Sequence, residues 1–368
     1  MRRKSNYYTV SYYLGNGSTN AAYQKLTQTV EEGTVVTFAK VPARTGYVNQ
    51  GWSSKKNSEK ATAKAKCTVN KNITLYAVQK KAVQLTFHRC DGSTWQKTTL
   101  AKGSSYSLPG VRDAEGYTFM GWSTKPMQSV SPQYEAEEKI TVNGNVDLYA
   151  VVFNRTTETD LTEDQLPQVD IYKYKQVIFV GDSRTEFMEN VLTGMGESAT
   201  KNVKFVCSAG KGLDWFTTTG WAQLYSIVQH DSNSILSKKT AVIFNFGVND
   251  LSKSADYAEY YNWIAPQLKS KGCELYFMSV NPVNRLMLPN AGRADRSEAA
   301  VRSFNQYMKA NLSSAYTYID MYSYLKSTGY SFASDHYGTG TVDDGLHYTT
   351  RTYKRIFAKC MDSLRVPA

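Results

Sequence analysis

Histidine is the side chain that most often serves as a general base for a serine nucleophile, and this chain has only four. The four histidines are His88, His230, His336 and His347. A serine hydroxyl is a poor nucleophile at neutral pH, so it needs an imidazole to take its proton and an acid to orient that imidazole. Asp344 precedes His347 by three residues, and a tight turn can place both side chains on one side. This spacing predicts an acid and base pair.

The other histidines fit a catalytic role less well. His336 directly follows Asp335, and side chains of adjacent residues point apart more often than together. His88 lies in a strand-like run and His230 in a polar segment, where structural or surface roles are the simplest interpretation. We therefore predict His347 as the base, while Asp343, next to Asp344, stays open as an alternative acid.

The nucleophile is predicted at the end of an apolar run. Residues 177–180 are Val-Ile-Phe-Val, typical of a buried strand, and Gly-Asp-Ser-Arg follows at 181–184. Small or polar residues likewise follow three later apolar runs, at 208–212, 247–250 and 281–284. Ligands of an open parallel sheet bind beyond the carboxyl ends of its strands. Ser183 is thus expected to lie in a site formed by these segments.

The second half of the chain alternates strand candidates with amphipathic segments. The strand candidates are Gln176–Val180, Val203–Cys207, Ala241–Phe246, Leu275–Val280 and Thr317–Ile319. Helices are expected between them, for example over Ser254–Leu268 and Arg296–Leu312. This alternation predicts an α/β domain with a parallel sheet covered on both faces.

The first part of the chain contains an internal duplication. Residues 45–53 return at 115–123 with the shared pattern Gly-Tyr-x-x-x-Gly-Trp-Ser, and residues 68–78 return at 141–151 with a shared Leu-Tyr-Ala-Val. The spacing between copies is 70 residues for the first pair and 73 for the second (115 − 45 and 141 − 68). Short strand-like runs between Gly, Asn and Ser clusters predict two small β modules. Trp52 and Trp122 are expected to be core anchors.

Charge separates the two parts of the chain. Residues 1–155 hold 21 Lys and Arg against 10 Asp and Glu, and residues 156–368 hold 22 of each, so the net charge of +11 lies entirely in the first part. This excess favours an anionic neighbour such as a cell-wall polymer, an acidic glycan or a membrane surface, although it also fits simple solubility. No nucleic-acid motif accompanies the charge, and no apolar stretch is long enough for membrane insertion.

These patterns resemble two known families. The repeated segments, over 7–80 and 82–153, are similar to the Listeria–Bacteroides (InlB B-type) repeat, which implies β-grasp-like modules on a bacterial surface. After a linker at 154–172, residues 173–368 resemble an SGNH hydrolase of the GDSL esterase and lipase family, on four blocks met in order. These are Gly181-Asp182-Ser183, Ser208-Ala209-Gly210, Gly247-Val248-Asn249-Asp250 and Asp344-x-x-His347. The resemblance implies a flavodoxin-like three-layer fold.

The resemblance also assigns roles within the site. It implies Ser183 as nucleophile, His347 as base and Asp344 as acid, with the backbone N–H groups of Ser183 and Gly210 and the Asn249 amide binding the oxyanion. Arg184 departs from the family pattern, which has Leu there. Arg184 is interpreted either as a substrate contact or as the partner of an acid. Further candidates for substrate binding are Asp182, Asp250 and Tyr348.

Together these expectations describe a serine esterase acting on an acylated glycan or cell-wall polymer, most simply an O-acetyl esterase. The alternative is an adhesion or glycan-binding protein in which the hydrolase domain is inactive or secondary. An extracellular or cell-surface location is expected, with the export signal lying outside this sequence. No cofactor is expected, and no metal, because neither a CxxC pair nor a His, Cys and Asp cluster with ligand spacing occurs apart from the Asp344 and His347 pair.

Overall fold

A computed structural model describes residues 5–17, 21–170, 173–230, 239–288, 296–333 and 344–364. The chain divides into two compact units. The first unit comprises Met1–His88, Ser93–Tyr106 and Lys139–Leu148, and the second comprises Arg89–Gly92, Ser107–Glu138 and Tyr149–Ala368. The second unit therefore contains the predicted hydrolase region together with part of the second repeat. The boundaries drawn from sequence stay a prediction.

The N-terminal part of the chain is rich in strands. They are β1 (Tyr7–Tyr13), β2 (Gln28–Glu31), β3 (Val35–Thr37), β4 (Tyr47–Ser53), β5 (Lys66–Thr68), β6 (Ile73–His88), β7 (Thr94–Ala101), β8 (Ser104–Ser107), β9 (Tyr117–Ser123), β10 (Lys139–Val142) and β11 (Val146–Asn154). In the first unit, β1 runs parallel to β6, while β4 and β7 pair with β6 in the antiparallel sense. In the second unit, β9 pairs antiparallel with β11.

The two repeated tryptophans are core anchors, as predicted. Trp52 is 5% exposed, and its indole N–H donates to the Ala39 carbonyl at 2.6 Å. Trp122 is fully buried, and its indole N–H donates to the Pro109 carbonyl at 2.9 Å. Each indole thus buries a large apolar area and also satisfies its donor on a carbonyl 13 residues upstream.

A five-stranded parallel sheet forms the centre of the second unit. Its strands are β12 (Tyr174–Gly181), β13 (Val203–Cys207), β14 (Lys239–Asn245), β15 (Cys273–Met278) and β16 (Tyr316–Ile319). The order across the sheet is β13-β12-β14-β15-β16, and each neighbouring pair is parallel. These strands agree with the five sequence candidates to within two residues at most ends, which confirms the predicted α/β class.

Helices cover both faces of this sheet. They are α1 (Ser183–Met195), α2 (Leu213–Trp215), α3 (Trp221–His230), α4 (Ser254–Ser270), α5 (Glu298–Asn311), α6 (Met321–Thr328) and α7 (Thr350–Ser363). Alternate residues of β12 point to opposite faces, so Ile178 and Val180 pack with α3, α4 and α5, while Val177 and Phe179 pack with α1, α6 and α7. This explains why the strands read as continuous apolar runs.

The predicted linker is packed against the hydrolase region. Glu158 is 5% exposed and accepts hydrogen bonds from Arg355 at 2.9 Å and Ser331 at 2.6 Å. Leu166 and Val169 belong to the apolar cluster that also holds α1 and α7. Within the described ranges, no helix combines the length and apolar character needed to cross a bilayer.

Candidate active site

Ser183 is the first residue of helix α1, which follows the inner strand β12. Asp182 is the N-cap residue, and its carboxylate accepts from the Arg184 backbone N–H at 3.0 Å. The strand-to-helix turn is tight, because a Cβ at Gly181 would lie 2.0 Å from the Thr185 hydroxyl oxygen and 2.9 Å from the Asn245 carbonyl. Glycine is therefore required at 181, and the turn presents the Ser183 hydroxyl at the carboxyl end of the sheet.

The Ser183 hydroxyl meets the imidazole of His347. The distance from Ser183 Oγ to His347 Nε2 is 2.9 Å, and His347 Nδ1 lies 2.6 Å from Asp344 Oδ2. The three side chains are buried, with Ser183 6%, His347 3% and Asp344 0% exposed. A chain of hydrogen bonds thus runs from the carboxylate through the ring to the hydroxyl.

Asp344 is held in place by the turn that carries it. Its Oδ1 accepts from the backbone N–H groups of Leu346 at 2.8 Å and His347 at 2.7 Å. Burial acts to raise the pKa of the Asp344 carboxyl, but the hydrogen bond and charge of His347 and these two N–H groups outweigh it and hold the pKa below its usual value. An ionised carboxylate only accepts, so Nδ1 carries the proton and Nε2 is left to accept from Ser183.

The turn between acid and base needs a glycine. Gly345 has φ of +64°, and a Cβ there would lie 2.3 Å from the Asn284 carbonyl oxygen. On the other side, the Phe187 ring packs edge-on against the His347 ring, with centroids 4.6 Å apart. The imidazole is therefore confined by packing as well as by its two hydrogen bonds.

The predicted oxyanion donors lie on two neighbouring loops. Gly210 has φ of +70° in a turn closed by the Lys211 N–H to the Ser208 carbonyl at 3.3 Å. Asn249 Nδ2 donates to the Lys211 carbonyl at 2.7 Å, and its Oδ1 accepts from Arg296. This ties the second loop to the first. An amide nitrogen carries two hydrogens, so Nδ2 keeps a second one for another acceptor.

The interpretation of Arg184 as a substrate contact or as the partner of an acid needs correction. Arg184 is 2% exposed, and it donates to the backbone carbonyls of Leu346 at 3.0 Å, Asn281 at 2.9 Å and Pro282 at 2.9 Å. These partners are carbonyls, so the predicted pairing with an acid is not what the side chain does here. Tyr348 is 2% exposed and its hydroxyl donates to the Pro282 carbonyl. Both side chains therefore bind the Pro282 carbonyl, but Tyr348 also lines a cavity beside Phe187, so its role in substrate binding stays a prediction.

The two remaining candidates for substrate binding are also engaged internally. Asp182 is 1% exposed, and burial raises its pKa to about 6 despite the opposing charge of Arg184. Asp250 Oδ2 accepts from the Leu213 backbone N–H at 2.9 Å, and Oδ1 accepts from the Tyr257 hydroxyl at 2.7 Å. Asp250 therefore holds its own loop, at 247–250, against the start of α2, which follows the loop at 208–212.

Glu186 is a site residue that the sequence interpretation missed. Its carboxylate accepts from the Ala209 backbone N–H at 2.6 Å, next to the predicted oxyanion donor Gly210. Glu186 stands three residues after Ser183 on the first turn of α1, and that spacing was the available signal. His336 and Asp343 lie outside the described residues. Within them, no group of three His, Cys, Asp or Glu side chains is arranged to hold a metal.

Comparison with known families identifies this part of the chain. Residues 177–360 match the model of the GDSL-like lipase/acylhydrolase family. The chain belongs to the GDSL-like lipase/acylhydrolase family. Residues 8–78 and 84–151 match the Listeria-Bacteroides repeat domain, so two such repeats precede the GDSL region. This confirms both resemblances drawn from the sequence and the esterase or lipase class of hydrolase.

Individual similar proteins are distant. A "putative Gly-rich membrane protein" of Evansella cellulosilytica is 26% identical over 146 residues, which is 39% of this chain and 16% of that protein. The acetyl xylan esterase AlAXEase is 10% identical with a TM-score of 0.35, covering 52% of this chain and 100% of its own. The catalytic domain of the Streptococcus pneumoniae peptidoglycan O-acetyltransferase A is 16% identical with a TM-score of 0.30, covering 52% and 92% respectively.

Proposed function

We propose that this GDSL-family protein is a serine carboxylic-ester hydrolase of the bacterial surface or exterior. Its proposed substrate is a glycan or cell-wall polymer, from which it removes acyl groups, most simply acetyl. The observation that carries the proposal is the hydrogen-bonded line from Asp344 through His347 to Ser183, at 2.6 Å and 2.9 Å. The side chains come from two chain segments 161 residues apart (344 − 183). They are aligned in the order that this chemistry requires, with the nucleophile bound to the base and the base bound to the orienting acid.

In the proposed mechanism, Ser183 Oγ attacks the ester carbonyl while His347 Nε2 takes its proton. The resulting oxyanion is bound by the N–H groups of Ser183 and Gly210 and by the second hydrogen of Asn249 Nδ2, the one not directed to the Lys211 carbonyl. His347 then protonates the leaving alcohol, and an acyl group stays on Ser183. Water, deprotonated by His347, releases the acid and restores the hydroxyl. Each oxyanion donor contributes roughly 10²–10³ in rate.

The proposal of a glycan substrate is supported by the surroundings of the site. A cavity of about 610 Å³ opens beside Phe187, whose ring packs on His347. Its lining combines apolar side chains with the polar Asn190 and Thr350. Near Gly210, the side chain of Asp214 is 86% exposed and pairs with Lys253 at 3.0 Å. Such a mixture of aromatic and polar groups suits a sugar better than a long acyl chain.

An assay of acetyl release tests the proposal. Wild-type protein is expected to release acetate from p-nitrophenyl acetate and from at least one member of a panel of acetylated xylan, peptidoglycan, teichoic acid and sialic acid. Ser183→Ala is expected to lose this activity, whereas Ser226→Ala on α3 serves as a matched control that keeps it. Equal rates for wild type and Ser183→Ala would refute the proposal.

A second candidate function, adhesion to an anionic polymer, is favoured by one observation. All of the net charge of +11 falls in residues 1–155, which include both repeats. Binding of the full-length Ser183→Ala protein to purified cell walls would then fall steeply as salt rises, because such attraction is screened. Lack of binding at low salt would exclude this candidate.

A further inference from the structure

A loop at residues 281–288, here called the bridging loop, lies against the Asp344–His347 turn. The Asn284 backbone N–H donates to the Gly345 carbonyl at 2.8 Å, and the Asn284 carbonyl oxygen approaches Gly345 so closely that a Cβ would lie 2.3 Å away. The Pro282 carbonyl accepts from Arg184 at 2.9 Å. The position of the acid and base turn thus depends on the position of the bridging loop.

The same loop is bound on its other side by the second repeat. Asn284 Nδ2 donates to the Val111 carbonyl at 3.0 Å and to Asp113 Oδ1 at 2.9 Å. One residue further on, Arg285 Nε lies 2.8 Å from Glu137 Oε1. Asn284 therefore reaches the acid and base turn with its backbone and the repeat with its side chain.

The repeat side of this contact is itself anchored. The Asp113 carboxylate is 1% exposed, pairs with Arg155 at 2.7 Å and accepts from the Phe119 backbone N–H at 2.9 Å. Glu137 is 16% exposed, and its second oxygen accepts from the backbone N–H of Ala299 at 3.3 Å, at the start of α5. Asp113 and Glu137, the side chains of the repeat that bind the bridging loop, are therefore held in place by bonds of their own.

A buried group of three charged side chains also connects the second repeat to the bridging loop. Lys326 is 5% exposed and lies 2.6 Å from Glu298 Oε1 and 3.0 Å from Glu135 Oε2 of the second repeat. Glu298 Oε2 in turn accepts from the Val283 N–H of the bridging loop at 3.2 Å. A buried charge is costly unless it is paired, so breaking this group is strongly unfavourable. Residues 107–138 accordingly fall in the same compact unit as the hydrolase sheet.

From these interactions we propose that residues 107–138 of the second repeat position the catalytic base, with Asn284 as the positioning residue that transmits their support to the Asp344–His347 turn. This inference rests on the proposed esterase function. The repeat is then a working part of the enzyme in addition to a surface module. Misplacement of a catalytic group by about 1 Å can cost roughly 10²-fold in rate, so a loosened turn has a measurable effect.

Substitution of Asn284 tests the proposal in the full-length chain. Asn284→Ala removes the two side-chain bonds to the repeat, together with the bond from the Leu286 N–H to Asn284 Oδ1 at 3.2 Å, but keeps the backbone bond to Gly345. Glu137→Ala leaves the bond within the loop in place and so isolates the contribution of the repeat. We expect kcat to fall by about ten- to a hundredfold with KM within about twofold, because the substrate is not contacted. Glu137→Ala, on the repeat side, is expected to act in the same direction by a smaller factor. Asn143→Ala, at an exposed position directly after β10 in the second repeat, is the matched control.

A second measurement separates positioning from stability. The proton on His347 Nδ1, which lies 2.6 Å from Asp344 Oδ2, is expected to give a downfield NMR resonance. We expect this resonance to shift or broaden in Asn284→Ala and in Glu137→Ala but not in Asn143→Ala. The resonance is read without substrate, so it tests the inference even if the ester is unknown. Wild-type kcat and an unchanged resonance in both variants would overturn it, whereas a wild-type protein without esterase activity counts against the proposed function alone.

Discussion

The substitution Asp344→Asn tests the proposed acid directly, because the structure determines how the new amide must lie. Oδ1 of Asp344 accepts from two backbone N–H groups, at 2.8 Å and 2.7 Å. An NH₂ group placed there would face two donors, so the asparagine keeps its oxygen at that position. Its NH₂ then occupies the position of Oδ2, 2.6 Å from His347 Nδ1. The substitution replaces an acceptor by a donor without changing shape.

The consequence for the base follows from the tautomer. A donor facing Nδ1 forces Nδ1 to accept, so the ring proton moves to Nε2, the atom that faces Ser183 at 2.9 Å. His347 then has no lone pair with which to take the Ser183 proton. In an analogous serine-protease triad, such a change lowers kcat by about 10⁴, equivalent to roughly 5.5 kcal/mol of activation free energy. We expect a loss of about 10³–10⁴ here.

The assay is hydrolysis of p-nitrophenyl acetate at neutral pH, with intact folding checked by circular dichroism. Asp320→Asn provides the matched control, since Asp320 caps α6 by accepting from the Ser323 N–H and asparagine caps equally well. Activity of Asp344→Asn within about tenfold of wild type would refute the assignment. A large loss in Asp343→Asn under the same conditions would then identify the neighbouring residue as the acid.

Two further predictions concern buried groups around the site. Arg184→Lys is expected to lower the free energy of unfolding by about 2–4 kcal/mol, because one ammonium group cannot reach the three carbonyls that the guanidinium group binds. Urea titration measures this change, and an unchanged midpoint would contradict the prediction. Burial raises the folded-state pKa of Asp182 to about 6, above its unfolded value of about 3.9, so ionisation costs the folded state and stability falls as pH rises from about 4 to about 6. Asp182→Asn keeps the N-cap acceptor without that cost, so its Tm relative to wild type should rise across this pH window and level off above it; a difference independent of pH would contradict the prediction.

The central sheet was predictable from sequence because its strands are buried on both faces. Apolar runs such as 177–180 are continuous because they are buried on both faces, and the polar residues that follow them mark the edge of the sheet where a site forms. The shared role of Trp52 and Trp122 was likewise predictable, because the Gly-Trp-Ser pattern recurs at 51–53 and 121–123.

Other features carried no signal in the sequence. Arg184 was assigned to a substrate or an acid because charge is what a sequence shows, yet its partners are main-chain carbonyls 97 to 162 residues away. Backbone carbonyls are present at every residue, so no residue type reveals them. The segment at 281–284 was expected at the site, but the bonds from Asn284 to the Val111 carbonyl and to Asp113, more than 170 residues earlier in the chain, were not predictable from it. The catalytic roles of Ser183, His347 and Asp344 stay predictions, now with a geometry that supports them.

The attachment of the second repeat to the bridging loop makes the two repeat copies unequal. Asp113 accepts a hydrogen bond from the Asn284 amide. It stands three residues before the glycine of the shared Gly-Tyr pair, and the equivalent residue of the first copy is Ala43. An alanine there offers no carboxylate to Asn284 or Arg155. Exchanging the two copies, or shortening the array by recombination between them, would therefore place beside the hydrolase region a module that lacks this carboxylate. The contact with the bridging loop therefore constrains the second copy at Asp113, a constraint that the first copy, with Ala43 there, does not share.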